Sequence, residues 1–308
     1  MSVWGVVGDG AWGRALAERL VRNGHDVRMV GLARRGKGLP RGVTYTHDGA
    51  KVLQACERLV VALPPSALEP ALVSMAPHLQ GNHRIVTTAR GLTPETHLRA
   101  TEAMGALTAV RQLAVLAGAA DAEALSANKP VALVVGSAFP SWAGELQAAL
   151  GSASLRVYSN PDTIGVELAN AAAAVFGVAM GAARAAQVGP ATESTALTRA
   201  LAEMDRLVQG LGGRANTAFG LAGLGVLAEI VLDGTGAAFQ AGIALARGDV
   251  EAARSQAEVR EIARTFAARA ERHNLHAPMV RTVDALFAGV LDAQEAMTAL
   301  MSGSSGKE

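Results

Sequence analysis

The chain has 308 residues, long enough for two domains, and carries 28 Lys and Arg against 27 Asp and Glu, a formal net charge of +1. That balance provides no general attraction for nucleic acid or an anionic membrane, so neither is expected as a partner. The single cysteine, Cys56, excludes an internal disulfide and a thiolate metal cage built from one chain, so no metal site is expected and a reducing compartment fits.

The first residues, MSVWGVVGDG, lack the basic n-region and cleavage site of a signal peptide and read as a strand. Val3 to Val7 is a short β-type run, followed by Gly8, Gly10 and Gly13 in GDGAWG and then by the helical pattern ALAERLVRNG. A strand, G-x-G-x-x-G and a helix in that order form the dinucleotide fingerprint. Its glycines allow a tight turn, the approach of a pyrophosphate and a close helix, and the helix amides face the phosphates. Gly8, Gly10, Ala11, Trp12 and Gly13 are therefore candidate cofactor contacts.

A second strand runs from His25 to Val30. Its end distinguishes the nucleotides, because NAD binding uses an acid for the ribose 2′-hydroxyl and NADP binding uses positive charge for the 2′-phosphate. Here Gly31 and Ala33 are followed by Arg34, Arg35, Lys37 and Arg41, which favours NADP(H) over NAD(H). A solvated basic loop with no cofactor role is the other reading.

The alternation continues with a strand from Arg58 to Leu63 ending in ALPPS, a helix in ALEPALVSMAPHL, and a strand from Arg84 to Thr88 closed by ARGLTPE. Arg90 stands at the carboxyl end of that strand, where ligands of open parallel sheets bind. Leu113 to Leu116, Val131 to Ser137 and SLRVYSNPD add further strands. Asn160 and Pro161 then make a turn, with Asp162 as N-cap of an apolar helix reaching Gly181 that contains Ala171 to Ala174.

Beyond Asp162 the pattern is helical. Thr192 to Leu211 has helical spacing, GGRANTAFGLAGLG reads as a connector, Val250 to Asn274 as one long amphipathic helix, and Ala277 to Leu300 as more of the same. The uncharged runs, interrupted by Asn170 and Arg184, make poor membrane spans. The tail SGSSGKE is expected to be disordered. The expected fold class is α/β: a Rossmann-type parallel-sheet domain over 1–161, an all-α domain over 162–301 and a loose tail over 302–308. A cytoplasmic location is expected.

GDGAWGRALA, NGHDVRMV, ALPPSAL, TTARGLTPET, LRVYSNPDTIGVELAN, LTRALAEMDRLVQGLGG and NTAFGLAGLG, in this order from about residue 3 to about residue 290, resemble bacterial NAD(P)-dependent glycerol-3-phosphate dehydrogenase. The resemblance implies a C-terminal domain of the 6-phosphogluconate dehydrogenase type and hydride transfer between a nicotinamide and C2 of glycerol 3-phosphate or dihydroxyacetone phosphate. In that chemistry a lysine serves as general acid, an aspartate holds the network, and a Ser-Arg-Asn run clamps the phosphate. Carried over position by position, it assigns dinucleotide contact to Gly8, Gly10, Trp12, Gly13, Arg34 or Arg35, Ala122 and Glu258. Arg90 replaces the lysine of the family's K-G motif.

On the substrate side the match fails. The positions of the family's A-L-K-N read Ala171 to Ala174, so Ala173 replaces the catalytic lysine, and Val226 replaces the aspartate. Gly236, Ala237 and Ala238 replace Ser-Arg-Asn, with Gly242 retained downstream; Gly118 is retained but followed by Ala119 and Ala120 where the family has Pro-Ser. No catalytic residue is therefore assigned. The leading expectation is a pseudoenzyme: a degenerate family member that binds NADP(H) and acts as a binding, sensing or scaffold protein, dimeric, with a protein partner. A chain that binds no cofactor is the further option. The alternatives are an active oxidoreductase, on the phosphorylated substrates or on a less polar carbonyl or imine with Glu167, Asn170 and Thr217 as its polar groups, and a purely structural interaction module.

Overall fold

The computed structural model describes residues 2–31 and 38–296. The expectations for Arg34, Arg35 and the tail fall outside the described residues. The chain divides into two compact units, Met1–Glu167 and Leu168–Glu308.

The first unit is built on a sheet of β1 (Val3–Val7), β2 (Asp26–Val30), β3 (Val43–Thr46), β4 (Arg58–Val61), β5 (Arg84–Thr87), β6 (Gln112–Ala117), β7 (Val131–Gly136) and β8 (Leu155–Asn160). In space their order is β3-β2-β1-β4-β5-β6-β7-β8. The strands β1 to β6 run parallel, whereas β7 is antiparallel to β6 and carries β8 parallel to itself. The sheet is thus mostly, not wholly, parallel, and its first six strands follow the doubly wound order.

Alternation along the strands feeds two cores. Trp4, Val6, Val60 and Val86 face one layer, with α1 (Ala11–Arg22) among the elements that cover it. Val7, Leu59, Val61 and Ile85 face the other, under α2 (Gly49–Ala55), α3 (Pro65–Met75) and α4 (Ala100–Leu107). The helices α5 (Ala122–Ser126) and α6 (Pro140–Leu150) return to the first layer, where Trp142 stacks on Trp4 at 5.7 Å between ring centroids. The strand β3 had no counterpart in the expectations; it is short and only half-buried, so its hydrophobic alternation is weak.

The helix α7 (Thr163–Ala185) starts as expected. Asn160 Oδ1 accepts from the Asp162 amide at 2.8 Å, and Asp162 Oδ1 accepts from Gly165 N at 2.9 Å, which is an N-cap bond. The helix is long and apolar enough to cross a membrane, but 89% of its apolar window is buried within the protein, as in a core helix.

The second unit continues with α8 (Pro190–Gly210), α9 (Val226–Asp233), α10 (Ala237–Ala246), α11 (Val250–Arg254), α12 (Ala257–Arg272) and α13 (Pro278–Ala288). The Gly-rich connector contains a 3-10 turn at Thr217–Phe219 and a π turn at Leu221–Gly225 that runs into α9. The expected helix over Val250 to Asn274 is two: it breaks at Ser255 and Gln256, where the Ser255 hydroxyl donates back to Ala252 O at 2.6 Å. The last expected helix is interrupted: Gly289 at φ +74° closes α13, and helix resumes over 293–296.

Candidate functional site

The parallel strands bring the ends of β1, β2, β4, β5 and β6 to one edge. There Gly8 N donates to Val30 O at 2.8 Å, Ala62 N to Val7 O at 2.8 Å and Thr88 N to Val61 O at 3.2 Å, tying the loops after β1, β4 and β5 to their neighbours. Gly8 turns at φ +110°, and a Cβ on it would meet Ala62 O at 2.3 Å. A Cβ on Gly13 would stand 2.0 Å from Gly8 O, so α1 sits directly on the turn. By contrast, nothing lies within 4 Å of a Cβ built on Gly10, the exposed N-cap of α1. No side chain caps this helix, which leaves the leading amides of Ala11, Trp12 and Gly13 to face an anion. Arg14 holds the loop from behind, Nε donating to Asp9 O at 2.7 Å and Nη1 to Gly38 O at 3.2 Å.

The structure therefore gathers Gly8, Gly10, Ala11, Trp12 and Gly13 in one cradle. Arg90 follows β5 at the same sheet edge and is half-buried. Ala122 opens α5 beyond β6, reached through Gly118, where φ is +135° and a Cβ would stand 3.0 Å from Ala132 O, so glycine suits the turn. Glu258 is exposed in the first turn of α12, in the second unit.

The polar residues singled out around α7 divide. Glu167 is saturated: its carboxylate accepts from Arg99 Nη1 at 2.7 Å, from Thr101 N at 2.9 Å and from the Thr101 hydroxyl. It anchors the start of α4 to α7. Asn170 is 4% exposed, and its Oδ1 has no hydrogen-bond partner among the described residues. Thr217 is buried in the 3-10 turn. Ala171 to Ala174 and Val226 are all buried, so no ionisable side chain stands at any of these positions.

At the start of α10, Gly236 is the N-cap, and its amide donates to Asp233 Oδ2 at 2.9 Å. Asp233 also accepts from Thr235 N at 3.0 Å and from the Thr235 hydroxyl, and these bonds pull its pKa down, the hydroxyl bond most. The turn before α10 thus closes on a carboxylate of the chain itself. Sequence reasoning overlooked Asp233, although Asp followed two and three residues on by Thr235 and Gly236 is a readable Asx-turn signal.

A β-strand, glycine turn and uncapped helix at the carboxyl edge of a doubly wound sheet, followed by an all-helical unit, define the Rossmann class of nucleotide-binding folds. Within it, residues 33–143 match the N-terminal model, and residues 162–298 the C-terminal model, of NAD-dependent glycerol-3-phosphate dehydrogenase. The chain belongs to this family. It is 30% identical over 311 residues to the glycerol-3-phosphate dehydrogenase [NAD(P)+] of Bradyrhizobium sp. (strain ORS 278), covering 96% of this chain and 95% of the relative. It is 29% identical over 313 residues to that of Brucella suis biovar 1, covering 96% of each chain. The crystal structure of glycerol-3-phosphate dehydrogenase from Coxiella burnetii superposes with a TM-score of 0.90 at 26% identity, covering 98% of this chain and 99% of the other. Membership implies a nicotinamide dinucleotide as cofactor. The open face at Gly10 and the uncapped α1 fit its pyrophosphate.

Proposed function

We propose that this protein binds a nicotinamide dinucleotide but has lost the hydride-transfer reaction on glycerol 3-phosphate and dihydroxyacetone phosphate, and that it serves as a binding, sensing or scaffold protein. The observation that carries the reading is the buried, alanine-lined turn of α7 at Ala171 to Ala174. Reduction of a carbonyl requires a proton as the hydride arrives, and a general acid is worth about two to four decades in rate. Ala173 provides none. Val226 provides no partner for one, and Gly236, Ala237 and Ala238 offer no cation to a phosphate dianion, whose burial without charge is prohibitive.

The dinucleotide domain is proposed as 1–161, with Gly8, Gly10, Ala11, Trp12, Gly13, Arg90 and Ala122 contributing; Arg34 and Arg35 are added on the resemblance alone. Bound nicotinamide would supply or accept hydride; the residues of the chain bind and orient it. The basic run from Arg34 to Arg41 supports NADP(H) over NAD(H). The all-α domain over 162–301, a homodimer, a protein partner and a cytoplasmic location complete the proposal.

Calorimetry with NADPH and NADH tests the first half, and absence of binding by both at millimolar concentration removes it. Turnover of dihydroxyacetone phosphate tests the second; a rate within tenfold of an ordinary family member overturns the loss of activity. The second reading, an oxidoreductase for a less polar carbonyl or imine, is favoured by the unpartnered Oδ1 of Asn170. A screen of such compounds with either reduced dinucleotide separates the two.

A further inference from the structure

An NAD-type Rossmann domain places an acid at the end of its second strand to hold the adenosine ribose. Here that position is Gly31, just past β2. The acid arrives from elsewhere. A Cβ built on Gly31 would lie 2.5 Å from Cγ and 2.5 Å from Oδ2 of Asp9, so the Asp9 carboxylate fills the room that a side chain at position 31 needs. Asp9 reaches this place because it stands between the first two glycines of the loop, and the turn at Gly8 is bonded to Val30 O at 2.8 Å.

The Asp9 Oδ2 atom is shielded from solvent and has no hydrogen-bond partner among the described residues. Leaving a buried carboxylate oxygen without a donor is costly, which makes it a ready acceptor for a ligand hydroxyl. The neighbouring Arg14 gives its Nε and Nη1 to the main-chain oxygens of Asp9 and Gly38.

We propose that Asp9 is a specificity-determining residue whose carboxylate accepts from the adenosine ribose 2′-hydroxyl of a bound dinucleotide and repels a 2′-phosphate. This assignment rests on the dinucleotide reading of the first unit. It runs against the preference for NADP(H) drawn from the basic sequence at Arg34 and Arg35, because Asp9 pulls the balance toward NAD(H). Neutralising Asp9 shifts the balance toward NADP(H), because like charge facing a 2′-phosphate is unfavourable and the ribose exchanges a charged acceptor for a weaker neutral one.

The test uses the full chain with NADH and NADPH as titrants, followed by calorimetry or nicotinamide fluorescence, on the wild type, Asp9→Asn and Gly31→Ala. Asp9→Asn keeps the shape and removes the charge. Gly31→Ala forces the carboxylate aside without touching its charge. The ratio Kd(NADPH)/Kd(NADH) is expected to fall about tenfold in Asp9→Asn, and to fall in the same direction in Gly31→Ala. A fall of less than threefold in Asp9→Asn, or a shift toward NADH, overturns the assignment. Should Asp9→Asn not fold, the threefold criterion passes to Gly31→Ala. Binding of neither titrant by the wild type removes the dinucleotide reading itself, and the Asp9 role with it.

Discussion

Gly242 of α10 rests against the main chain of Val178 on α7, where a Cβ on the glycine would stand 2.0 Å from the valine carbonyl oxygen. The contact is reciprocal, since a Cβ on Gly181 of α7 would stand 2.1 Å from Phe239 O of α10. Two backbones therefore cross at a distance only glycine allows. Gly242 is thus required by packing, because it lets the two helices meet backbone to backbone. Gly242→Ala raises helix propensity, yet the added methyl has nowhere to go. A net loss of roughly 1–3 kcal/mol is expected from overpacking. Thermal unfolding of the variant measures it, and an unchanged or higher Tm would show that the helices do not cross so closely.

The nucleotide loop was legible because its glycines and the strand and helix around it are local signals. Ala173 and Val226 were legible only through resemblance, since an alanine run carries no chemistry of its own. Other features needed the folded chain. The break at Ser255 and Gln256 is invisible in a sequence whose charged residues continue across it without Pro or Gly. The carboxylate of Asp9 comes to Gly31 only when β1 and β2 pair. Glu167 stands among the polar groups of the alternative oxidoreductase on its sequence position alone; its partners Arg99 and Thr101 lie more than sixty positions away.

Those partners lead to a second expectation. Glu167→Ala takes one carboxylate from Arg99, whose side chain is only 13% exposed and keeps its pairing with Glu102, and removes the acceptor of the Thr101 amide. Removing one member of such a buried pair typically costs about 3–5 kcal/mol. Urea unfolding is expected to show that loss, with the NADH affinity of the folded fraction unchanged. A tenfold weakening of NADH binding without loss of stability would return Glu167 to the ligand site.

Glu203 on α8 is 1% exposed and accepts from Met279 N at 3.0 Å and Val280 N at 2.9 Å, capping the start of α13 from a distance. Glu203→Ala orphans both amides and is expected to cost about 3 kcal/mol. Burial pushes the Glu203 carboxyl above its ordinary value of 4.5, partly opposed by the two amide bonds. With the folded pKa raised, the folded state holds the proton longer than the unfolded state. The stability linked to that proton is complete below pH 4.5 and is lost as pH rises through the folded value. Glu203→Gln cannot titrate. The stability of the wild type minus that of Glu203→Gln is therefore expected to fall as pH rises from 4.5 toward neutrality, and a flat difference would place the carboxyl in water.

Placing a lysine at position 173 tests the proposed loss of catalysis most directly. Ala173 is fully buried, so an ammonium placed there is desolvated and its pKa is driven down, which favours the neutral amine over the proton donor. Even a correctly protonated lysine meets Val226 where an aspartate would orient it. On the proposed reading the substrate phosphate still meets Gly236, Ala237 and Ala238, with Asp233 already bonded to Gly236, the N-cap of α10. Ala173→Lys is therefore expected to leave the oxidation of NADH or NADPH by dihydroxyacetone phosphate at the background rate. A general acid alone is worth about two to four decades, so a hundredfold rise in this variant would mean that the remaining site still binds and orients the phosphorylated substrate. The deficit would then lie in one residue, and the protein would be an enzyme one substitution from activity instead of one whose acid, acid partner and anion clamp are all gone.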